Sequence, residues 1–282
     1  MDYEMLDYIN IDNRLLDEIR NLSPKDNAKV LRLSKSYAKG KTLRLAKQND
    51  IIKLATALKA AEKTLRLYRR HGIDDKIFCD TMDDIRIWCD NCGNNGLNNI
   101  GWIKNHINFS LFKIGRLQFQ LFRYRGKITP APLPLSCGEK SVYIHIPQGE
   151  KLSQAECVAS IQAADKFFAK YFPKHSYEYY FCESWLLYQG NRDYMLKTSN
   201  IVKFMDLFDI AYSTKDERQA LERIYGLGSK EISAIFSAKG DSRLSAIEEL
   251  PENTSLQRAA KQYMADGNLL GVGIGTIKRN TL

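Results

Sequence analysis

Three side chains of this sequence combine acid–base chemistry with apolar surroundings, which makes them candidates for proton transfer. His145 lies in the run SVYIHIP, and an imidazole titrates close to neutral pH. Glu183 lies in FCESWLL, where burial would raise the pKa of a carboxyl group. Asp84 lies in IFCDTMDDIRIW, at the edge of an apolar arc. Each pattern is also typical of a hydrogen-bonded core histidine or a salt-bridged acid. For each residue taken alone, that structural interpretation is favoured.

The segment IHIPQGEKLS is the best candidate for binding an anion. A predicted strand ends in a Pro-Gln-Gly turn, and a helix begins near Ser153. The amides at a helix N-terminus bind phosphate groups, and Gly149 would let a ligand approach the backbone. Because every strand–turn–helix connection has such amides, the segment alone does not identify a ligand.

Other chemical motifs are missing from the sequence. CDNC (Cys89 and Cys92) has the spacing of half a zinc site, but no second pair of ligands follows, so we expect no metal. No P-loop is present, and no G-x-G-x-x-G connects a strand to a helix. GVGIG near the C-terminus leads to the chain end rather than into a helix. It is predicted to be a strand that another backbone approaches closely.

Composition limits the class of protein. The 282 residues carry a net charge of +9, which suits partners such as nucleic acid, anionic membrane or phosphorylated cofactors, although a lysine-rich surface explains it equally well. No apolar run approaches the roughly 18 residues that a membrane span needs. The acidic start MDYEMLDYINID lacks the apolar segment of a secretory signal. We therefore expect a cytoplasmic protein with no membrane partner and with reduced, mostly buried cysteines.

The first 115 residues are predicted to be helical. In NDIIKLATALKAAEKTLRLYRRHG, apolar residues recur every three or four positions, with Asn49 or Asp50 as N-cap and Gly72 as C-cap. IFCDTMDDIRIWCDNC is predicted to be one amphipathic helix with its acids and its apolar arc on different sides. We expect this arc to pack against the sheet of the C-terminal part or its first strand. GWIKNHINFSLFKIG is predicted to be a further short helix.

Strands and helices alternate after residue 115. RLQFQLF alternates Leu117, Phe119 and Leu121 with Gln118 and Gln120, as a half-buried strand does. KITPAPLPLSCGEK is a turn-rich connection. Further strands are predicted in SVYIHIP, SYEYYFCESWLLY, DIAYST and LLGVGIGTI, and helices from Ser153 to Tyr171 and in TSNIVKFMDLF, DERQALERIYG and SLQRAAKQYMADG. The sequence thus predicts an α+β fold with domains at 1–115 and 116–282.

Several segments resemble a bacterial family of two-domain GNAT-like acyltransferases, in which an N-acyltransferase N-terminal helical domain precedes a GNAT-like C-terminal domain. The similar segments are IFCDTMDDIRIW, LFKIGRLQFQ, YIHIPQGEKLS, FFAKYFP, FCESWLL, SNIVKF and TSLQRAAK, over about residues 75–270. The resemblance implies a helical domain followed by a GNAT-like mixed β-sheet domain flanked by helices. It implies transfer of an acyl group from acetyl-CoA or another acyl-CoA to an amine or hydroxyl of a small-molecule acceptor.

The resemblance also implies roles for particular residues. The strand Tyr143, Ile144, His145 and Ile146 would pair with the pantetheine arm, and the turn with Gln148, Gly149, Lys151 and Ser153 would hold the pyrophosphate. Asn200 would begin the helix that lines the cofactor. The turn departs from the family pattern Q/R-x-x-G-x-G/A, because Gln148 and Gly149 are adjacent.

The tyrosine that protonates the thiolate in such enzymes is replaced by Leu207, so Tyr212 is the substitute candidate. The base is sought among His145, Glu183 and Asp84. For Asp84 we favour a structural ion pair with an arginine such as Arg116 or Arg123, with a place in the acceptor pocket as the alternative. A different function stays open: a non-catalytic protein with a degenerate GNAT fold whose basic surface contacts nucleic acid or another polyanion. The oligomeric state is not predicted.

Overall fold

The structure is a computed structural model that describes residues 5, 8–126 and 132–282. The start of the first predicted helix and residues 127–131 of the turn-rich connection lie outside the described residues. The chain forms two compact units, and each draws on separate stretches of sequence. The first unit contains Met1–Phe122, Tyr143–Glu150 and Ala159–Ser176, and the second contains Arg123–Val142, Lys151–Val158 and Tyr177–Leu282.

Seven helices begin the first unit within the part of the chain described. They are α1 (Asn13–Arg20), α2 (Pro24–Tyr37), α3 (Leu43–Ala46), α4 (Asp50–His71), α5 (Asp75–Met82), α6 (Asp84–Asp90) and α7 (Ile100–Ile107). The predicted ends of α4 are confirmed, because Asn49 accepts a hydrogen bond from the Ile52 amide and Gly72 has the left-handed φ of +66°. Helix α4 is buried over a wider arc than its apolar stripe, since the hydroxyl-bearing Thr56 and Thr64 are also buried.

The segment 77–92 is two helices, so the prediction of one continuous helix is wrong. The break lies at Asp83, between α5 and α6. Phe78 is buried in α5, where its ring packs edge-on against Tyr68 with centroids 5.2 Å apart. Trp88, which the predicted apolar arc includes, is only half-buried.

A short strand follows α7, which corrects the prediction of a helix over the whole of GWIKNHINFSLFKIG. Strand β1 (Leu111–Ile114) pairs antiparallel with β2 (Leu117–Arg123). Helix α5 packs against β1, as expected for the apolar arc, and the hydroxyl of Thr81 accepts a hydrogen bond of 2.8 Å from the Lys113 amide. The same hydroxyl donates to the carbonyl of Ile77 at 2.6 Å.

Strand β2 is buried on both faces near its start. Leu117 and Phe119 are buried as predicted, but Gln118 is also buried, with 1% of its surface exposed. The polar face of this strand is therefore covered by protein rather than by water.

The sheet within the described residues has six strands in the order β1-β2-β3-β4-β6-β5. Strand β3 (Lys140–His145) precedes the turn, and α8 (Gln154–Tyr171) follows it, as predicted. Strand β6 (Val272–Lys278) pairs antiparallel with β4 (Tyr179–Ser184) and with β5 (Asp209–Thr214). A 3-10 helix (Trp185–Leu187), α9 (Asn191–Tyr194) and α10 (Asn200–Met205) lie between β4 and β5. The predicted α+β class is confirmed.

The glycines of β6 allow close packing, as predicted for GVGIG. A Cβ atom added at Gly273 would overlap the carbonyl oxygen of Leu187, and one added at Gly271, directly before the strand, would overlap the carbonyl oxygen of Thr214. Only glycine lets the backbones approach this closely.

Four helices connect β5 to β6. They are α11 (Arg218–Tyr225), α12 (Ser229–Ser237), α13 (Asp241–Glu248) and α14 (Ser255–Ala265), of which α12 and α13 are not predicted from the sequence. They share an apolar core that includes Leu221 and Ile247. The buried Glu217 links the start of α11 to α13, because both of its oxygens accept hydrogen bonds from Arg243 at 2.8 and 2.9 Å.

Candidate active site

A buried carboxylate lies at the start of α6. Asp84 is 6% exposed, and its Oδ2 accepts a hydrogen bond of 2.7 Å from the indole Nε1 of Trp102. Nε2 of the fully buried His106 lies 3.0 Å from the same oxygen, but outside hydrogen-bond alignment. Burial acts to raise the pKa of Asp84, but the attraction of the adjacent His106 and the hydrogen bond from Trp102 outweigh burial and lower it. Asp84 is therefore ionised at neutral pH.

The candidate base His145 lies beside this carboxylate. Its ring is stacked on Tyr143 with centroids 4.2 Å apart, and Trp102 meets it edge-on at 4.9 Å. His145 Nε2 donates a hydrogen bond of 2.9 Å to Oε1 of Gln120, which leaves Nδ1 as the nitrogen with a lone pair. Burial, reinforced by the repulsion of His106 and opposed by Asp84, lowers the pKa of His145 to about 3. The imidazole is therefore neutral at physiological pH.

Four elements of the first unit position these side chains. Trp102 and His106 lie one turn apart on α7, so they face the same side. Gln118 and Gln120 alternate along β2, and Tyr143 and His145 alternate along β3, so each pair lies on one face of the sheet. The structure thus brings together Asp84 and His145. It adds Trp102, His106, Gln118 and Gln120, which sequence reasoning missed. For Gln118 and Gln120 the signal is the polar alternation along β2, from which we predicted a half-buried strand.

The expected ion pair between Asp84 and an arginine is not formed. Arg116 donates instead to the carbonyl oxygens of Pro147 and Glu150, and Arg123 donates to the carbonyl oxygen of Gly138. The groups next to Oδ2 of Asp84 are the imidazole of His106 and the indole of Trp102. Neither Arg116 nor Arg123 therefore pairs with this carboxylate.

The turn after β3 has the open backbone that the sequence suggests. Gly149 has φ +108°, a conformation that L-residues rarely adopt, and an added Cβ would meet nothing within 4 Å. The side chain of Gln148 accepts a hydrogen bond from Asn91, and Glu150 forms an ion pair with Lys113 at 2.9 Å. Ile144 is fully buried, whereas Ile146 and Ser153 are half-buried and Lys151 is exposed. The assignment of these residues to a cofactor stays a prediction.

Two further candidates lie in the second unit. Glu183 on β4 and Tyr212 on β5 both pair with Ile274 of β6, so their side chains project from the same face of the sheet. Both are half-buried. Asn200 begins α10 and is exposed. Their roles stay predictions.

The described residues contain no group of three or more His, Cys, Asp and Glu side chains arranged to hold a metal ion. The six cysteines are unbridged thiols, and Cys137 is exposed rather than buried. Among the described helices, none combines the length and apolar character needed to cross a membrane.

Comparison with known proteins identifies the class. Residues 4–109 match the N-acyltransferase N-terminal domain, and residues 111–277 match the GNAT-like C-terminal domain. The chain therefore belongs to the family that combines these two domains, and the resemblance inferred from the sequence is confirmed. It is an acyltransferase of the GNAT-like class.

Solved structures share the fold. A crystal structure of an acyltransferase in complex with decanoyl-CoA and teicoplanin superimposes with a TM-score of 0.77 at 19% sequence identity, over 98% of this chain and 87% of that chain. A mutant acyltransferase in complex with octanoyl-CoA gives 0.76 at 18% identity, over 98% and 87% of the two chains. No curated protein matches the sequence.

Proposed function

We propose that this acyltransferase moves an acyl group from acyl-CoA to an amine or hydroxyl of a small-molecule acceptor, with His145 as the proton acceptor. One observation supports this role above the others. His145 is a neutral imidazole held between Tyr143 and Trp102, with Nε2–H committed to Gln120 and Nδ1 left to accept a proton.

The reaction is direct attack on the thioester. The acceptor nitrogen or oxygen forms a bond to the carbonyl carbon, and the carbon–sulfur bond breaks with its electron pair on sulfur. The proton lost by the acceptor passes to Nδ1 of His145. The low pKa of His145 makes it a weak base. The amine proton becomes more acidic once its nitrogen has bonded to the carbonyl carbon, so we place the proton transfer after bond formation.

The sulfur leaves as a thiolate and takes up a proton. We propose Tyr212 as the donor of that proton, because the family position holds Leu207 and a phenol is the nearest substitute in chemistry. Glu183 stays the alternative base. Both side chains project from one face of the sheet in the second unit, which supports their candidacy.

The donor is an acyl-CoA whose pyrophosphate we place at the turn of Gln148, Gly149, Lys151 and Ser153, with Asn200 as a further contact. The acyltransferases of similar fold bound octanoyl- and decanoyl-CoA, so we propose medium-chain donors as well as acetyl-CoA. The unbridged thiols support a cytoplasmic location.

The test is a rate measurement on the full-length enzyme. Donors from acetyl-CoA to decanoyl-CoA are combined with a panel of primary amines, alcohols and teicoplanin, and released CoA is quantified by chromatography. Colorimetric thiol reagents would also react with the exposed Cys137. We expect His145→Gln to lower kcat by about 10²–10⁴-fold, the usual contribution of a general base, while acyl-CoA binding stays within about threefold.

His71→Gln is the matched control, because His71 is an exposed histidine whose Nδ1 contacts the carbonyl of Leu67 on its own helix. It should leave kcat unchanged. A kcat of His145→Gln within about threefold of the wild-type value would contradict the role of His145.

A further inference from the structure

Arg116 binds the turn after β3 from within the protein. Its side chain is 6% exposed. Nη1 donates to the carbonyl oxygen of Pro147 at 3.0 Å, and Nη2 donates to that of Glu150 at 2.7 Å. One planar guanidinium thus holds both ends of the segment Pro147–Glu150, a geometry that a lysine ammonium cannot reproduce.

These two hydrogen bonds fix the direction of two peptide groups. All peptide bonds of the described residues are trans, and in a trans peptide the carbonyl and the amide point to opposite sides. Since the carbonyls of Pro147 and Glu150 point to Arg116, the amides of Gln148 and Lys151 point away from it. Two peptide dipoles therefore present their positive ends on the outer side of the turn, with a guanidinium charge behind them. This arrangement suits an anion.

Arg116 is itself rigidly held. It is the second residue of the two-residue turn between β1 and β2, in which Ile114 pairs with Leu117. Gly115 has φ +62° and Arg116 does not have a positive φ, as in a type II′ turn. The Arg116 amide donates to Oγ of Ser160 at 2.7 Å. A Cβ at Gly115 would come within 2.7 Å of that oxygen, so a larger residue would displace the Ser160 hydroxyl and would be strained at this positive φ.

We propose that Arg116 is a positioning residue for the pyrophosphate of the acyl-CoA donor. It acts through the turn, by aiming the amides of Gln148 and Lys151 and by adding positive charge behind them, and it does not touch the reacting atoms. The inference rests on the proposed function, because it assumes that acyl-CoA binds at this turn.

The test compares two ligands that differ in the pyrophosphate. Octanoyl-CoA contains it, whereas S-octanoyl-pantetheine carries the same thioester without the nucleotide and its phosphates. Binding of each to the full-length protein is measured by calorimetry. We expect Arg116→Gln to weaken octanoyl-CoA binding by about 10–100-fold and to change octanoyl-pantetheine binding by less than about threefold. A residue that only supports the fold would weaken both ligands equally.

Arg123→Gln is the control, because Arg123 also donates to a backbone carbonyl but at Gly138 rather than at the turn. It should leave both affinities unchanged. If Arg116→Gln does not fold, Arg116→Lys keeps the charge and should lose part of the preference for octanoyl-CoA over octanoyl-pantetheine.

Equal weakening of both ligands in the Arg116 variant that folds, or no weakening, would overturn the inference. So would a wild-type protein that binds octanoyl-CoA no more tightly than octanoyl-pantetheine, and the proposed acyl transfer would still stand in that case. A wild-type protein that binds neither ligand would overturn both proposals.

Discussion

The interactions of Asp84 illustrate how a buried ionisable group is retained in this protein. Leaving a carboxylate buried without partners costs several kcal/mol, which an arginine often offsets. Here two groups stabilise the charge together, namely the imidazole of His106 and the indole of Trp102. Trp102 also contacts the ring of His145. A change at Asp84 can therefore reach the candidate base through one intervening side chain.

The pKa of His145 makes stability depend on pH. The folded protein holds this histidine with a pKa of about 3, against 6.5 for an ordinary histidine. The unfolded chain therefore binds a proton first as the pH falls, so stability is fully present above pH 6.5 and is lost towards pH 3. Between pH 8 and pH 5, we expect the unfolding free energy of His145→Gln to fall by about 2 kcal/mol less than that of the wild type. Urea unfolding at both pH values measures it.

The comparison of variant with wild type is essential, because the low pKa of Asp84 also makes stability fall in acid. Only the difference between the two proteins belongs to His145. An unchanged pH dependence in His145→Gln would show that this ring is not held neutral by the fold.

Asp84 and Asp83 form a matched pair of acids at the break between α5 and α6. Asp84→Asn removes a buried charge from His106, so we expect a loss of about 1–3 kcal/mol in unfolding free energy. Asp83 pairs with Arg86 at 2.7 Å on the surface, so Asp83→Asn should cost less than about 1 kcal/mol. Denaturant unfolding at pH 7 compares them.

Activity separates the two roles that the sequence leaves open for Asp84. A purely structural role predicts that Asp84→Asn loses stability and keeps most of its kcat below its melting temperature. A stable variant with no activity would instead support the alternative that Asp84 faces the acceptor.

At the scale of elements, a buried threonine links α5 to the edge of the sheet. The Thr81 hydroxyl accepts from the Lys113 amide of β1 and donates to the Ile77 carbonyl of its own helix. Because β1 is an edge strand, one of its amides would otherwise lack a backbone partner on that side. Helix α5 therefore supplies the hydrogen-bond acceptor for the Lys113 amide, on the side of β1 where no further strand pairs.

Two threonine substitutions test this link. Thr81→Val keeps the volume but leaves the Lys113 amide without its acceptor, so we expect a loss of about 1–3 kcal/mol. Thr56 is buried in α4, and its hydroxyl has no hydrogen-bond partner among the described residues. Thr56→Val should therefore be neutral or stabilising. Thermal and urea unfolding of both variants measure the difference, and equal losses would contradict the link.

At the scale of the whole molecule, residues that are far apart in the sequence belong to the same compact unit. The first unit takes residues from before and after position 115. Phe112 of β1 packs against Phe167 and Phe172, with ring centroids 5.1 and 5.0 Å apart. These rings come from opposite sides of the predicted domain boundary. The domain boundary at residue 115 stays a prediction. In the comparison with the family, the N-terminal domain ends at residue 109 and the C-terminal domain begins at residue 111.

A fragment of residues 116–282 tests this grouping. It keeps Phe167 and Phe172 but lacks Phe112 and the whole of α5, so the fragment would expose an aromatic surface. Each large aromatic side chain buries about 150–250 Å², so we expect a fragment that aggregates or unfolds well below the melting temperature of the full chain. Gel filtration and thermal unfolding measure it. A soluble fragment as stable as the full chain would contradict the expectation.

The sequence by itself determined the elements whose signals are local. The apolar period and the capping residues predict α4, and alternation predicts β3. The glycines of β6 predict close backbone packing, and family segments predict the acyltransferase class. It did not predict the break at Asp83, because a short helix boundary without proline or glycine has little local signal. Strand β1 was missed because its four residues form a strand only by pairing with β2.

Only the tertiary structure decided which polar residues meet. His145, Asp84 and the turn are visible as candidates in the sequence, but Trp102, His106, Gln118 and Gln120 are not. The alternation of polar residues on β2 and β3 is the same whether water or a helix covers that face. Likewise, no spacing rule connects Arg116 to Pro147 and Glu150, since a hairpin turn carries its side chain to a segment that lies about thirty residues further along the chain. Such partners are decided by packing in three dimensions, which sequence periodicity does not record.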